Sequence, residues 1–437
     1  MTYEKWLENK HLKYENDILL YGEVDTIKLA EEYGTPLYVI NEQIIRERYR
    51  TLKNIIDSIY KKNEIHFSVK ANSHLVTLKI LQSEGAGVDC TSAGEIYTSL
   101  RAEFSQEKII YTGNMFTNED FKYAVENGIH VNLDSISQLK RLTKIYDDLG
   151  KDKKSISFRI NPEFGAGHHS HTITAGKDIK FGILDNQVIE AYTKAKEAGF
   201  KSFGAHIHIG SGVLDPDDYK KPIGKYLDII MKLADKLNIT FEFIDFGGGL
   251  GIPYHPDQEP VDLNVYKENV IKPFIKLIKE GNIGNPILKF EPGRYLVGES
   301  SIILTQINTL KDNGFKKFAG VNAGFNTLIR PAMYGSYHHI MPCLLKNNNI
   351  TETYDIAGPI CESGDILGKA RNLPKLQEED YLAILDAGAY GYTMTSVYNS
   401  RPRPAEVLVN KGKYYLIRKE ETFEDLLEKQ QIPDYLK

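Results

Sequence analysis

Eight short β-rich runs alternate with helical segments between residues 65 and 294, and this pattern constrains the fold more than any other feature. The runs are "IHFSVK", "GVDC", "IIYTGN", "HVNLDS", "SISFRIN", "FGAHIHIG", "FEFIDFGGG" and "PILKFEPGR". Between them lie amphipathic segments such as "EDFKYAVENG" and "KYLDIIMKLADKL", whose apolar residues recur three and four apart. Alternating strands and helices imply parallel strands with right-handed crossovers. Eight such units predict a closed (β/α)8 TIM barrel.

The pattern changes after about residue 300 to strands with turn-rich connections and few long helices. These strands are "SIILTQINTL", "KKFAGVN", "ETYDIAG", "YLAILDAG", "AEVLVN" and "KYYLIRKE". We therefore expect an α/β plus β chain in three parts. Residues 1–34 form an N-terminal segment that joins the β-domain, residues 35–295 form the barrel, and residues 296–437 form a C-terminal β-sandwich or β-barrel domain.

The composition excludes several classes of protein. The chain has 437 residues, 41% of them hydrophobic and 26% charged, and a net charge of −5, whereas nucleic-acid binders usually carry a basic stripe. Three cysteines cannot build a disulfide framework, and their spacing is not that of a metal site. The charged start "MTYEKWLENKHLKYE" is no secretory signal, and no window approaches the roughly 18 apolar residues of a membrane span. We expect a cytoplasmic protein that binds neither nucleic acid nor membrane.

Polar residues and glycines stand at the carboxyl ends of the eight runs, where barrel strands converge on one mouth and active sites form. They are Lys70, Asp89, Asn114, Asp134, Arg159, His208, Asp245 with Gly247 to Gly249, and Glu291 with Arg294. A single such residue could simply mark the exit of a strand into a loop. The complete set predicts a functional mouth.

Three glycine-containing turns point to a phosphorylated small molecule. They are "DFGGGLGIPY", "HIHIGSG" and "EPGR", and glycines allow backbone N–H groups to approach an anion closely. Together with Lys70 and Glu291 they supply what pyridoxal phosphate needs: an amine for its aldehyde, a cradle for its phosphate and a carboxylate for its pyridine nitrogen. His208 would stack on the ring, and Arg159 would lie near the phenolic oxygen.

Each of these residues also has an ordinary explanation. Lys70 could cap a strand with a solvated charge, and a lone histidine such as His208 is more often a satisfied core residue. The spacing in "HIHIG" favours a role at the mouth, because alternation places His206 and His208 on the same, barrel-facing side.

Motifs in a fixed order along the chain resemble the fold-type III, alanine-racemase-like pyridoxal-phosphate decarboxylases. They are "SVKAN", "GAGVDCTSAGEI", "HIHIGS", "FGGGLGIPY", "EPGRYLV", "RPAMY", "CESGD" and "GAYGYTMTSVYN". Within that group they are most similar to the diaminopimelate decarboxylases. The resemblance extends from about residue 35 to 421. It implies a barrel with a C-terminal β-domain, and a homodimer with active sites shared between subunits.

The resemblance also implies roles for single residues. Lys70 matches the Schiff-base lysine, His208 the ring-stacking histidine and Glu291 the partner of the pyridine nitrogen. The cofactor would further be held by Asp89, Arg159, Ser211, Gly248, Gly249, Gly293, Arg294 and Tyr390. The substrate would be held by Arg294, Arg330, Tyr334, Glu362 and Tyr390. Cys361 matches the proton donor, which in the family comes with Glu362 from the partner subunit.

The chemistry of these residue types agrees with that reading. Loss of CO₂ leaves a carbanion that must be reprotonated, and a cysteine can serve as the acid. Taken alone, Cys361 could equally be a small buried hydrophobe. Arg294 and Arg330 suit carboxylates, because guanidinium donors form bidentate pairs. Glu362 suits an ammonium group. The expected reaction is decarboxylation of meso-2,6-diaminopimelate to L-lysine.

One segment departs from the family pattern and keeps alternatives open. "GAGHHSH" within residues 159–183 carries His168, His169 and His171 where a His-Pro-x-Ile-x-Thr-Gly sequence is usual. Three close histidines without a second cluster make a poor ligand set, so we predict no metal site. In the family this loop commonly closes over the active site, and an altered loop leaves open the substrates ornithine, arginine or a carrier-bound glutamyl group. A racemase and a non-catalytic pyridoxal-phosphate carrier are weaker alternatives.

Overall fold

The computed structural model describes residues 3–163, 176, 179–346 and 350–437. The predicted loop histidines 168, 169 and 171 therefore lie outside the described residues. The chain divides into two compact units. The β-rich unit comprises Met1–Ile44, Tyr254–Gln258 and Val297–Lys437, and the barrel unit comprises Ile45–Pro253 and Glu259–Leu296.

The β-rich unit begins with a small antiparallel sheet. Its first elements are α1 (Tyr3–Glu8), β1 (Leu12–Glu15), β2 (Ile18–Tyr21), β3 (Val24–Asp25), α2 (Thr26–Tyr33) and β4 (Leu37–Asn41). Strands β1, β2 and β3 pair in that order. Asp25 caps α2, since its carboxylate accepts hydrogen bonds from the backbone N–H groups of Ile27 and Lys28 at 2.8 and 3.1 Å.

The barrel unit contains the predicted alternation of strands and helices. Its elements are α3 (Glu42–Asp57), β5 (Asn63–Ser68), α4 (Leu75–Ser83), β6 (Gly87–Cys90), α5 (Ala93–Arg101), β7 (Ile109–Thr112), α6 (Asn118–Glu126), β8 (His130–Leu133), α7 (Ile136–Asp148), β9 (Ser155–Asn161), β10 (Ile183–Leu184), α8 (Asp185–Glu197), β11 (Ser202–His206), α9 (Lys220–Leu237), β12 (Phe241–Asp245), α10 (Leu263–Tyr266), α11 (Lys272–Glu280), β13 (Ile287–Phe290) and α12 (Arg294–Val297). Within the described chain, β5 to β9 and β11 to β13 close into a parallel barrel, because β13 pairs with β5 and β8 with β9. The predicted TIM barrel is confirmed.

The barrel strands carry apolar residues on the face toward the helices and polar residues on the inner face. Phe158 packs outward on Tyr192 of α8, with ring centroids 5.1 Å apart. On the inner face, His130 contacts the Phe243 ring at 5.0 Å and the Lys289 ammonium lies 4.5 Å from the same ring. Barrel interiors are usually filled with Val, Ile and Leu. This interior is largely polar, a property that we did not predict.

The rest of the β-rich unit is a second, nine-stranded sheet. Its elements are β14 (Ser301–Asp312), β15 (Lys317–Val321), α13 (Arg330–Tyr334), β16 (Ile340–Pro342), β17 (Thr351–Ala357), β18 (Ile366–Pro374), β19 (Tyr381–Ile384), β20 (Ala405–Asn410), β21 (Lys413–Arg418) and α14 (Phe423–Leu427). Its main path is β18-β17-β15-β14-β4-β20-β21, and β19 pairs with β14 and β16. The predicted β-domain is confirmed, although β16 and β18 were not predicted.

Central strand β14 has a core on each face. Ile302 and Leu304 belong to one hydrophobic cluster, and Ile303 and Ile307 belong to another. Because successive side chains point to opposite faces, a strand buried on both sides needs a continuous apolar run. The sequence "SIIL" meets that requirement. Among the described residues, no helix is both long enough and apolar enough to cross a bilayer.

Candidate active site

Lys70 lies at the carboxyl end of the barrel, in the short 3-10 turn Val69–Ala71 that follows β5. Its side chain is 36% exposed, and its Nζ lies 3.1 Å from Oδ2 of the fully buried Asp89. The Ser68 hydroxyl donates to the same oxygen at 3.0 Å. The amine is therefore anchored by a buried acid rather than extended into solvent as a strand cap.

Asp89 is poised to change its charge near neutral pH. Burial, together with the negative charge of Glu291, raises the pKa of the Asp89 carboxyl to about 7, although Lys70 and Ser68 act in the opposite direction. Burial outweighs the ion pair, because Lys70 is partly solvated and Asp89 is not. The proton on Asp89 can thus respond to changes at Lys70.

Glu291 follows β13 and is held by two hydrogen bonds. Thr112 Oγ1 donates to Glu291 Oε1 at 3.2 Å, and His206 Nε2 donates to Oε2 at 2.9 Å. Burial raises the pKa of Glu291, but His206 and the charge of Lys70 outweigh it and hold the pKa below its ordinary value. Glu291 is therefore an ionised carboxylate inside the barrel mouth.

His208 lies just past β11, and its ring is oriented by the glycine loop after β12. The Gly248 N–H donates to His208 Nδ1 at 3.0 Å, so the remaining ring proton is on Nε2. Burial and the nearby Arg159 and Lys70 lower the pKa of His208 well below its ordinary value. The imidazole is neutral, and its ring can lie against an aromatic ligand without adding charge.

Arg159 remains a cation close to this histidine. Its Nη2 donates to the His208 carbonyl at 3.3 Å, and its guanidinium carbon lies 4.5 Å from the centre of the Phe181 ring. Burial lowers the pKa of Arg159 to about 10. Arg159 can therefore bind an anionic oxygen.

The loop after β12 requires glycine for close backbone approach. A Cβ on Gly248 would lie 2.3 Å from the Glu291 carbonyl oxygen, and one on Gly249, whose φ is +116°, would lie 2.7 Å from the Tyr219 hydroxyl. Near this loop, Arg294 Nη2 donates to Ser211 Oγ at 3.1 Å. We call Ser211, Gly248, Gly249 and Gly293 the cradle. Glycines that allow close backbone approach, beside an arginine, suit an anion such as phosphate.

Five predicted site residues belong to the β-rich unit. Among them, Arg330 at the start of α13 has a side chain fixed by burial and by hydrogen bonds. Its side chain is buried, and its Nε and Nη2 donate to His338 Nε2 at 3.3 Å and to Ser336 Oγ at 3.1 Å. Its guanidinium carbon lies 5.0 Å from the centre of the Tyr254 ring. A buried, oriented guanidinium of this kind is suited to a carboxylate.

Cys361 and Glu362 lie in an exposed turn built on Asp365. The Asp365 carboxylate accepts hydrogen bonds from the N–H groups of Ile360 at 2.7 Å and Phe325 at 2.6 Å. Cys361 and Glu362 are themselves exposed, and Glu362 Oε1 accepts a hydrogen bond from the Tyr398 hydroxyl at 2.9 Å. The turn presents a thiol and a carboxylate side by side on the surface of this unit.

The two predicted tyrosines are half-buried. Tyr334 is the last residue of α13, and Tyr390 adopts a left-handed backbone conformation with φ of +57° in the turn after β19. Non-glycine residues in this conformation are uncommon.

The sequence thus predicted the residues at the barrel mouth but missed those beneath them. The structure places Lys70, Asp89, Glu291 and the cradle at the mouth, and their roles remain predictions. Thr112 and Asn132, which support Glu291 from inside the barrel, were not predicted. A signal was available, since polar residues recur at alternate positions in "HVNLD" and "SISFRIN".

Comparisons with known proteins identify relatives over nearly the whole chain. A family model described as "Pyridoxal-dependent decarboxylase, pyridoxal binding domain" matches residues 42–298. The diaminopimelate decarboxylase of Methanothermobacter thermautotrophicus is 47% identical over 415 residues, which cover 95% of this chain and 96% of that protein. The crystal structure of diaminopimelate decarboxylase from M. jannaschii has a TM-score of 0.91 and 33% identity over 98% of this chain and 100% of that chain. Its co-complex with L-lysine gives a TM-score of 0.90 and 33% identity, covering 98% of this chain and 99% of that chain.

Proposed function

This chain belongs to the diaminopimelate decarboxylase family of pyridoxal-dependent decarboxylases, and from that premise we propose that it converts meso-2,6-diaminopimelate into L-lysine and CO₂. As a member of this family it is a pyridoxal-dependent amino-acid decarboxylase, a carboxy-lyase. The observation that carries the proposal is the presence, in one barrel mouth, of the Lys70 amine, the ionised Glu291 and a glycine cradle. The related M. jannaschii enzyme has been crystallised with L-lysine, which is the expected product here.

The residues of the barrel mouth fit pyridoxal 5'-phosphate, the cofactor of the proposed reaction. Among the described residues, the buried Asp89 Oδ1 and Asn114 Nδ2 lack a hydrogen-bond partner. Such atoms are costly unless a ligand or water satisfies them. The cradle and Arg294 would bind the phosphate, Lys70 would hold the aldehyde carbon, and Tyr390 would also contribute. When bound, the cofactor supplies an electron sink for the pair left behind when CO₂ departs.

The protein's own groups prepare that chemistry. Glu291 is ionised and so would accept a hydrogen bond from the protonated ring nitrogen, while neutral His208 would stack on the ring without competing for that proton. Asp89 keeps the Lys70 amine in place and can take up or release a proton near pH 7.

The substrate-binding part of the proposal depends on charge complementarity. Arg330 and Arg294 would pair with carboxylates, Tyr334 and Tyr390 would line the site, and Glu362 would receive the distal ammonium group. A substrate without a second carboxylate would leave a buried guanidinium without its anion, which is costly. Ornithine, arginine and a carrier-bound glutamyl group are therefore not favoured, and the segment that suggested them lies outside the described residues.

We further propose that the active enzyme is a homodimer in the cytoplasm. Cys361 and Glu362 are exposed on their own unit, as expected for residues that serve the active site of the partner subunit. In this role the Cys361 thiol gives its proton to the carbon that has lost CO₂. The three cysteines are free thiols, which suits a reducing compartment.

The experiment that tests the function is a substrate panel. Purified protein loaded with pyridoxal phosphate is given meso-diaminopimelate, L-lysine, L-ornithine and L-arginine, and CO₂ and the amine product are measured. We expect CO₂ and L-lysine from diaminopimelate alone. Release of CO₂ from ornithine or arginine, with none from diaminopimelate, would contradict the proposal.

A further inference from the structure

A chain of hydrogen bonds crosses the barrel interior and ends at Glu291. Thr112 Oγ1 lies 3.2 Å from Glu291 Oε1, and Asn132 Nδ2 lies 2.7 Å from Thr112 Oγ1. Ser157 Oγ contacts Asn132 Oδ1, His130 Nε2 lies 2.7 Å from Ser157 Oγ, and Ser155 Oγ lies 2.9 Å from His130 Nδ1. We call Ser155, His130, Ser157, Asn132 and Thr112 the relay.

The ionised carboxylate fixes the direction of the first two bonds. Glu291 can only accept, so the single proton of the Thr112 hydroxyl must point to Glu291. The Thr112 oxygen is then the acceptor for the Asn132 amide N–H. The Asn132 carbonyl oxygen must in turn face Ser157, and it accepts the proton of the Ser157 hydroxyl.

The same logic continues to the far end of the barrel. Because the Ser157 hydroxyl donates its proton to Asn132, its oxygen accepts a hydrogen bond from His130 Nε2–H. His130 Nδ1 then accepts a hydrogen bond from the Ser155 hydroxyl. Burial and the charge of Lys289 lower the pKa of His130 to about 3, so His130 remains neutral at working pH. All five protons therefore point along the chain toward Glu291. Bonds aligned in this way polarise and strengthen one another.

The buried position of the relay indicates that its polar side chains do more than fill the barrel interior. Asn132 and Ser157 are fully buried, where an aliphatic side chain would avoid the cost of burying polar atoms. The hydrogen bonds described for the relay lead to Glu291 and not to the groups assigned above to the phosphate or the substrate. The relay therefore acts on the charge of the Glu291 carboxylate.

We propose that Thr112, Asn132, Ser157 and His130 are positioning residues that keep Glu291 ionised and so hold the proton on the pyridine nitrogen of the cofactor. This inference rests on the proposed function, because it assigns Glu291 to that nitrogen. The relay acts through Glu291, together with the direct hydrogen bond from His206.

The test is the ¹⁵N resonance of ring-labelled pyridoxal phosphate bound to the enzyme, which distinguishes protonated from unprotonated pyridine nitrogen. Thr112→Val keeps the shape and removes the donor to Glu291. We expect the proton to shift toward Glu291 by about 10- to 100-fold, the effect of one hydrogen bond to a charged group. Asn132→Leu breaks the next link and should shift the same equilibrium by about 2- to 10-fold. In both variants kcat should fall while KM changes little.

Matched variants separate this effect from general damage. Thr77→Val makes the same replacement at a buried threonine whose hydroxyl has no hydrogen-bond partner in the described structure, and it should leave the ¹⁵N resonance in place. Thr112→Ser retains the hydroxyl and should restore the parental resonance. Ser157→Ala breaks the same relay without adding volume, so it provides the measurement if Asn132→Leu does not fold.

The possible outcomes are distinguishable. A resonance that moves in Thr112→Val but not in Asn132→Leu or Ser157→Ala would overturn the proposal that the relay beyond Thr112 acts on Glu291. A bound resonance that is the same in every variant would overturn the inference and leave the proposed function intact. If the parent enzyme gave no bound resonance at all, the proposed function would fail and the inference with it.

Discussion

The buried ammonium of Lys10 allows a sharp test of what holds the β-rich unit together. Its Nζ lies 2.7 Å from Glu299 Oε1 and 2.7 Å from Asp386 Oδ1, and all three side chains are at most 3% exposed. Burial lowers the pKa of Lys10, but Asp386 and Glu299 outweigh it, and the net pKa is above its ordinary value. The favourable contribution of this charge is therefore complete at pH 7 and is lost only as the pH rises past its raised pKa.

We predict that Lys10→Met destabilises the β-rich unit by about 3–5 kcal/mol at pH 7, because it leaves two buried carboxylates without a cation. The deficit should shrink as the pH falls, since protonation removes the uncompensated charge from those carboxylates. The single tryptophan, Trp6, reports on this site, because the Lys10 ammonium lies 4.6 Å from its ring centre. Urea unfolding followed by Trp6 fluorescence therefore measures the stability of the β-rich unit.

Two comparisons make the result decisive. Lys13→Met removes an exposed lysine whose ion pair with Glu15 is more than half exposed on both sides, and it should cost at most about 1 kcal/mol. Adding Glu299→Gln and Asp386→Asn to Lys10→Met should recover much of the loss. An equal urea midpoint for Lys10→Met and Lys13→Met would refute the reasoning.

Three further predictions concern the active site. Lys70→Ala should lose the visible absorbance of the bound cofactor. Mixing it with inactive Cys361→Ala should restore roughly a quarter of the parental activity, because half of the dimers formed would contain one intact shared site. No recovery despite proven subunit exchange would show that each chain is self-sufficient. Gly248→Ala should sharply weaken cofactor binding, since its Cβ would lie 2.3 Å from a carbonyl oxygen, whereas Gly224→Ala, with no atom within 4 Å of the added carbon, should bind cofactor normally. Asp89→Asn should stabilise the cofactor-free protein increasingly between about pH 4 and 7, because the raised pKa of Asp89 makes its ionisation unfavourable in the folded state. Thermal unfolding at several pH values measures this gain in stability, and an equal gain at pH 4 and pH 7 would contradict the prediction.

The elements that the sequence predicted well are those specified by local periodicity. All eight barrel strands were found, because each combines a short β-rich run with a polar exit. Strand β18 was missed for a local reason. Its backbone is irregular at Ala370, where φ is +49° and the N–H donates to Asp355 Oδ1 at 2.7 Å. This irregularity interrupts the alternation on which strand prediction depends.

The residues that were missed depend on contacts between distant parts of the chain. Thr112 and Glu291 are 179 positions apart, and Lys10 and Asp386 are 376 apart. In the sequence, Thr112 is one more polar residue near a strand exit, and Lys10 is one charge in a polar N-terminal segment. Only closure of the barrel or of the β-rich sheet gives either residue its partner.

The polar interior of the barrel follows from the need for an ionised acid. A buried carboxylate at Glu291 is stable only if donors surround it, and His206 supplies one donor and Thr112 the other. The Asn132 amide donates to the Thr112 oxygen and so leaves the Thr112 proton for Glu291, and the same directional arrangement continues through Ser157 and His130. One charge at the mouth thus accounts for polar residues on three adjacent strands, β7, β8 and β9. The same reasoning explains why these positions cannot be recognised one at a time: each is polar because of its neighbour in the barrel, not because of its neighbour in the sequence.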